Sequence, residues 1–326
     1  MNFQEPKNRT LTDLPVHVFE KIADNLRHEH RLTLRNVCQS LRQLVDSWDP
    51  KCARIEILKD YTSIRLNLDG AKFLYKNKGG LVSVQRSPPF GEYRVRGRKQ
   101  DVAMRHLAPI LKHPKLHVER FEFNLEQSKA FIRDLERHLE KLNSKIKAKR
   151  FALTADNLVD YIGILRYLEP RVLKTVDLKR PRTIQSVNNL ELWTVRLNES
   201  EACQHAEQVL IHNSITLRDY EFTIPRLLTL PRVTLSYTFL PTLKAVEIFK
   251  HLLKSATLQL YEIKTANWED LNVTTLQQML IEIGANVVDP ENRPNVLIYR
   301  NPQSVIDEHF EIQLRGDGWS IERKRN

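Results

Sequence analysis

From about residue 115 onward, short apolar runs of strand character alternate with amphipathic helical stretches, and this alternation confines the chain to a mixed α+β or α/β architecture. The runs lie at 120–123, 150–153, 175–178, 192–197, 220–222, 233–235, 258–263 and 296–299. Between them, helical spacing is clearest over 127–142, where Ile132, Leu135, Leu139 and Leu142 share a face. Two further helices are predicted. One covers 243–253 with Val246, Phe249 and Leu253 inward; the other covers 275–283 with Leu276, Met279, Leu280 and Ile283 inward and Gly284 as C-cap. The steps from Phe121 to Phe151 and from Phe151 to Val176 span 30 and 25 residues. Leucine-rich repeats run about 20 to 29 residues, although their LxxLxLxxN signature is missing here. The expectation is an irregular leucine-rich-repeat-like βα solenoid, in which each unit buries its apolar face on its neighbours. Val176, Leu178, Val233, Leu235, Ile263 and Leu297 should then share one sheet and be mostly buried.

Residues 10–50 have another texture. Asp13 can cap a helix with Pro15 in its first turn and Phe19, Ile22, Ala23 and Leu26 at helical spacing. After a polar break at 27–30, a short segment carries Leu32, Leu34 and Val37, and a third carries Leu41, Leu44, Val45 and Trp48 before Asp49-Pro50 ends it. Three short helices make a core too small for comfortable independence, so such a unit completes its core on a partner. Residues 53–58 and 62–68 instead alternate apolar and polar, Asp69-Gly70 supplies a turn, and 73–75 and 81–84 follow around Gly79-Gly80, which reads as hairpins. The Ser87-Pro88-Pro89 stop and the basic stretch 94–99 are predicted to form an exposed loop.

Chemistry-bearing motifs are sparse. With only 9 glycines in 326 residues, and Gly79-Gly80 followed by no phosphate-loop lysine, Walker and dinucleotide loops are excluded. The 3 cysteines, Cys38, Cys52 and Cys203, are too scattered for a disulfide framework or an all-cysteine zinc site and read as reduced thiols. His28 and His30, at i, i+2 in a polar connection, do not converge on one metal, and Pro114 argues against a helix that would align His113 with His117. No nucleophile with a positioned base is legible, so the reading is a non-enzyme without cofactor or metal. No apolar stretch approaches the roughly 18 residues of a membrane span, and the polar start MNFQEPKNRT is unlike a signal sequence; the expected setting is cytoplasm, nucleus or both. The net charge of +11 favours acidic partners. Three basic clusters carry it: Arg94, Arg96, Arg98, Lys99 and Arg105; Lys141, Lys145, Lys147, Lys149 and Arg150; and Arg171, Lys174, Lys179, Arg180 and Arg182. Cations after the 127–142 helix also complement its dipole, and few rings stand nearby for base stacking, so nucleic acid is the weaker partner.

The first segment resembles an F-box. The residues that carry the likeness are Leu14-Pro15-x-x-Val18-Phe19-x-x-Ile22, then Leu26, then Leu34-Arg35-x-Val37-Cys38-x-x-Leu41-Arg42-x-Leu44-Val45. Leu41 stands where many F-boxes carry Trp, which keeps that contact apolar but smaller. The stretch Ile164-Leu165-Arg166-Tyr167-Leu168-Glu169-Pro170-x-x-Leu173-Lys174-x-Val176-x-Leu178 is similar to the FTH domain that follows the F-box in a large nematode-type set of F-box proteins. So is the succession of a strand at Trp193, a strand at 220–224, and the 243–253 helix leading into 258–263. The resemblance implies an F-box over 10–50, connecting strands and a basic loop over 51–114, an FTH-like recruitment domain over 115–300, and a C-terminal strand or tail over 301–326. It further implies a substrate receptor of a Skp/cullin/F-box ubiquitin ligase. Leu14, Pro15, Val18, Ile22, Leu34, Val37, Cys38 and Leu41 would meet the Skp-type adaptor, and Arg94, Arg96, Arg98 and Lys99 would meet a target offering Asp, Glu or phosphate. The competing reading is a basic nucleic-acid-binding or scaffold protein without a ligase role.

Overall fold

The computed structural model describes residues 15–50, 52–86, 91–125, 129–142, 144–155, 161–179, 190–215, 227, 230–237, 240–265, 272–300 and 308–325. The chain divides into two compact units, Met1–Glu119 with Ala130–Ile146, and Arg120–Lys129 with Lys147–Asn326.

The first unit opens with helices α1 (Val16–Asn25), α2 (His28–Arg35) and α3 (Gln39–Ser47). Helix α2 begins inside the expected polar break, since the chain is extended at Arg27 and helical from His28 on. The antiparallel strands β1 (Arg54–Lys59), β2 (Ser63–Leu68), β3 (Ala71–Lys78), β4 (Leu81–Arg86) and β5 (Glu92–Val95) follow in meander order. Asp69 and Gly70 join β2 to β3 with φ of 49° and 91°, the left-handed pair that a two-residue hairpin needs. The meander's inner side chains, among them Ile55, Leu66, Phe73 and Tyr75, are fully buried. Helix α4 (Lys99–Leu111) packs on β2 and β3. The basic stretch 94–99 is therefore not one loop: it ends strand β5 and starts α4, whose Val102, Met104, Leu107 and Leu111 are buried. Pro109 in its last turn costs one N–H but does not stop it. Helix α5 (Lys129–Leu139) realises the amphipathic stripe, with Ile132, Leu135 and Leu139 buried.

In the second unit, β6 (His117–Leu125, its last six residues here), β7 (Lys147–Ala155), β8 (Thr175–Lys179), β9 (Gln208–Ile215), β10 (Arg232–Tyr237) and β11 (Leu260–Thr265) stand side by side, with β7 to β11 parallel. Antiparallel strands complete the order: β15 (Gly318–Arg325) beside β11, then β14 (Glu308–Arg315), β13 (Arg293–Tyr299) and β12 (Asn286–Asp289). Helices α6 (Leu190–Glu199), α7 (Glu201–His205), α8 (Thr242–Leu252) and α9 (Val273–Glu282) and a 3-10 turn at Ile162–Tyr167 lie between strands in sequence. Gly318 is obligatory, since an added Cβ would overlap the Ile263 carbonyl on β11.

The leucine-rich-repeat-like solenoid is not formed. The sheet is open, and residues 286–325 return antiparallel along it rather than adding another βα unit, which ends any stacking of like on like. The expected strand at 192–197 is helical, within α6, and Ile162–Tyr167, inside the stretch that resembles the FTH domain, is a 3-10 turn. The expected strand at 220–222 lies outside the described residues, as do Asp13, 87–90, Gln127, Arg180 and Arg182. Val176, Leu178, Val233, Leu235, Ile263 and Leu297 do share the sheet and are all inaccessible to solvent, though β9 separates the first two pairs and β15 and β14 separate the last two residues. Within the C-terminal strand or tail expected over 301–326, Glu308–Arg315 and Gly318–Arg325 are strands.

Candidate partner-binding surfaces

Two regions of the first unit carry the residues singled out from sequence. The helical trio has a minimal core. Leu41 and Trp48 are buried, and Leu26, Leu34, Leu44 and Val45 pack partly against them. Of the expected adaptor residues, Leu14 lies outside the described residues, Pro15 and Cys38 are exposed, and Val18 and Leu34 are half-buried. Ile22 is exposed and Val37 is 66% exposed. Leu41 is turned inward at 6%. The arrangement leaves Pro15, Ile22, Val37 and Cys38 as solvated apolar groups around a core that Leu41 holds together.

Polar side chains do the rest of the bracing, and sequence reasoning missed them. Arg31 is buried; its Nε donates to the Leu26 carbonyl at 3.0 Å and its Nη1 to the carbonyls of Asp49 and Pro50 at 2.7 and 3.3 Å. One guanidinium thus satisfies carbonyls just beyond the C-terminal ends of both α1 and α3. Arg35 forks onto Asp46 at 2.7 and 3.1 Å, tying α2 to α3. His28 at the start of α2 lies 3.2 Å from Asp69, whose carboxylate also accepts the amides of Ala53 and Arg54 at 3.0 and 2.6 Å. Burial would raise the Asp69 pKa, but these hydrogen bonds, His28 foremost, hold it below the usual range. Cys52 completes a trio of possible metal donors that lie within 4.8 Å of one another. Burial pushes its thiol far up, and the carboxylate is already engaged with two backbone amides, so the three groups serve here as a staple between α2 and the β2–β3 turn. The histidine pairs weighed from sequence are not part of this cluster beyond His28 itself.

The basic stretch is divided by its structure. Arg94, on β5, is exposed, with Glu92 at 4.0 Å, and Arg96 is exposed as well. Arg98 forks onto Asp101 at 2.9 and 2.8 Å with Asp134 behind at 3.7 Å, which raises its pKa. Lys99 is buried and gives its Nζ to the Thr62 carbonyl at 2.8 Å, so burial lowers its pKa and its charge faces the meander rather than a target. In the other clusters, Lys174 pairs with Glu207 at 2.9 Å, and Arg150 and Lys179 converge on Asp177 at 2.5 and 3.5 Å. That convergence joins residues from β7 and β8, which linear clusters cannot reveal.

Among the described residues no helix is long and apolar enough to cross a membrane. No curated protein matches the chain. The family comparisons match an F-box domain over residues 11–52, which takes in α1, α2, α3 and the polar braces between them, and an FTH domain over residues 129–279, which runs from α5 into α9. The same chain thus carries both modules in the order that its sequence suggested, and it is an F-box protein with a C-terminal FTH domain.

Proposed function

We propose that this chain is the non-enzymatic substrate receptor of a Skp/cullin/F-box ubiquitin ligase, working in the cytoplasm or nucleus. The observation that carries the proposal is the F-box match over a helical trio that keeps Pro15, Ile22, Val37 and Cys38 solvated. A partner groove that covers these groups gains roughly 25 cal/mol for each Å² of apolar area removed from water, which isolated helices cannot gain alone. Leu34 and Leu41 contribute by holding the helices in place for that contact. The adaptor links the receptor to the cullin, and the part of the chain beyond the F-box holds a protein target near the conjugating enzyme. Rate then comes from proximity supplied to chemistry performed elsewhere. Arg94 and Arg96, and Arg98 to the extent that Asp101 and Asp134 leave it available, offer one surface for carboxylates or phosphates.

The decisive experiment is co-purification with a Skp-type adaptor. The double variant Pro15→Ala with Ile22→Asp is expected to lose the adaptor while the far-ultraviolet circular dichroism of the chain is kept, because both side chains are exposed. Retention of the adaptor by a folded double variant would refute the F-box assignment of function.

A further inference from the structure

Parallel strands are ordinarily covered on both faces and read as continuous apolar runs. In the second unit they alternate instead. On β7, Phe151, Leu153 and Ala155 are buried, while Arg150, Ala152 and Thr154 between them are partly accessible. The register carries this alternation across the sheet, setting Ala152 beside Asp177, Asp177 beside Leu210, Leu210 beside Thr234, and Thr234 beside Glu262. One face of the sheet is therefore polar over β6 to β11 and onto β14.

The charges on that face are layered by depth. The carboxylates lie at its floor: the side chains of Asp177, Glu122 and Glu262 are 1%, 13% and 18% exposed. The cations above them, Arg120, Arg150, Lys179, Lys264 and Arg315, keep 38–49% of their side-chain surface in solvent. Asp177 holds Arg150 at 2.5 Å, Lys179 at 3.5 Å and His212 at 3.3 Å. Glu262 holds Arg315 at 3.2 Å and Lys264 at 3.7 Å, and it accepts the Thr234 hydroxyl at 3.3 Å. Asp177 and Glu262 each anchor more than one cation, and Glu122 pairs with Arg120, so the outermost charge is positive and its positions are fixed from below. Glu311 and Glu322, opposite one another on β14 and β15, bring further carboxylates to this face, the second paired with Lys324 at 2.7 Å.

We propose that this polar face of the second unit's sheet is the target-docking surface of the receptor and that its occupant is an acidic segment of a protein. Charge complementarity selects the sign, because the exposed groups are guanidinium and ammonium over a sunken, already neutralised floor. An oligonucleotide carries the same sign of charge and is distinguished by its bases, which need rings to stack on. Among the described residues of β7 to β11 this face carries no Phe, Tyr or Trp on which bases could stack. The inference rests on the receptor reading above and gives it a partner chemistry.

The test measures fluorescence anisotropy of labelled decaglutamate, and of an oligodeoxynucleotide of equal length, with the full chain at low salt. The variant Lys179→Gln/Lys264→Gln/Arg315→Gln should bind the acidic peptide roughly tenfold more weakly than wild type. The charge-matched control Lys76→Gln/Lys112→Gln/Lys115→Gln, at exposed lysines away from this face, should change it by less than about twofold. Lys264→Gln alone, at an exposed ammonium that takes no part in the core, should show part of the loss and guards against misfolding of the triple variant. Equal losses in both triple variants, no loss in the sheet variant, or tighter binding of the oligonucleotide than of the peptide would each overturn the proposal. Adaptor co-purification, scored on the same proteins, reports on the F-box reading separately: its failure with wild type would remove the ligase role and leave the peptide result standing on its own.

Discussion

Helices α1 to α3 enclose only Leu41 and Trp48 as fully packed apolar side chains among the described residues, whereas the covered face of the second unit's sheet buries a continuous field of them. On that face Phe121, Phe123 and Phe151 cluster with ring centroids 4.7–6.4 Å apart, and Phe249 of α8 stacks on Trp319 of β15 at 3.9 Å. The contrast extends to what each region has left to offer. The trio leaves Ile22 and Val37 in solvent and uses Arg31 and Arg35 internally, as braces. The sheet uses its aromatics internally and leaves Arg150, Lys179 and Lys264 outside. A region that leaves apolar side chains in solvent is suited to a permanent, salt-tolerant partner; one that presents pinned charges is suited to a partner that arrives and leaves, with an on-rate set by electrostatics.

The comparison is broken most directly at the deep core. Trp319→Ala removes a ring that packs on both Phe249 and Tyr261. It should cost about 3–5 kcal/mol, read as a lower urea midpoint, because large-to-small changes leave a cavity that the rest of a sheet cannot collapse to fill. Adaptor binding by the remaining folded fraction should be unchanged. A loss below about 1 kcal/mol would mean that this side of the sheet is far looser than its burial indicates.

The parts of this molecule legible in the sequence are those set by local period. The alternation over 53–58 and 62–68, the Asp69-Gly70 turn and the stripe of Ile132, Leu135 and Leu139 each encode their element directly. Helix α6 was hidden because Leu192, Trp193, Thr194 and Val195 favour strands, while the helical spacing of Leu190, Trp193 and Leu197 runs beneath them. Helix α4 was hidden by basic residues at its start and by Pro109. The F-box motif was legible as a pattern, yet nothing local announces that Leu41 turns inward or that Arg31 caps carbonyls 18 and 19 residues away. The charged face is less legible still, since Asp177 acquires its partners from residues 150, 179 and 212, which meet only when three strands register.

A change of pH sharpens the comparison from the sheet's side. Burial alone would raise the Asp177 carboxyl, but hydrogen bonds from His212 and Arg150 and the nearby Lys179 charge bring it down to about 2 from its ordinary 3.8. A carboxyl depressed in the folded state binds fewer protons there than when unfolded, so its contribution is present above pH 3.8 and is lost as pH falls through about 2. The shift corresponds to at most about 2 kcal/mol. Urea unfolding of wild type and Asp177→Asn should differ by about that much at pH 7 and converge by pH 2. A gap that stays constant with pH would show that the substitution acts through packing rather than charge.

The smallest effect on stability belongs to the trio, and it carries the most information about function. Val37 is 66% exposed and its side chain lies outside the Leu41–Trp48 core, so Val37→Ser should change stability by no more than about 0.5 kcal/mol. If the solvated apolar groups of the trio are held for an adaptor, the same substitution should still weaken adaptor affinity, roughly fivefold by titration calorimetry, because a methyl-bearing side chain meant for a dry groove is replaced by a hydroxyl without a partner. Leu41→Ala provides the opposite pattern: it hollows the core that the described residues of the helices form, so it should cost about 2 kcal/mol of stability and lose adaptor binding only in proportion to unfolding. Should Val37→Ser leave adaptor affinity untouched while Leu41→Ala abolishes it, the exposed groups would be ordinary surface, and the contact would have to depend on the helices' arrangement rather than on the apolar side chains they display.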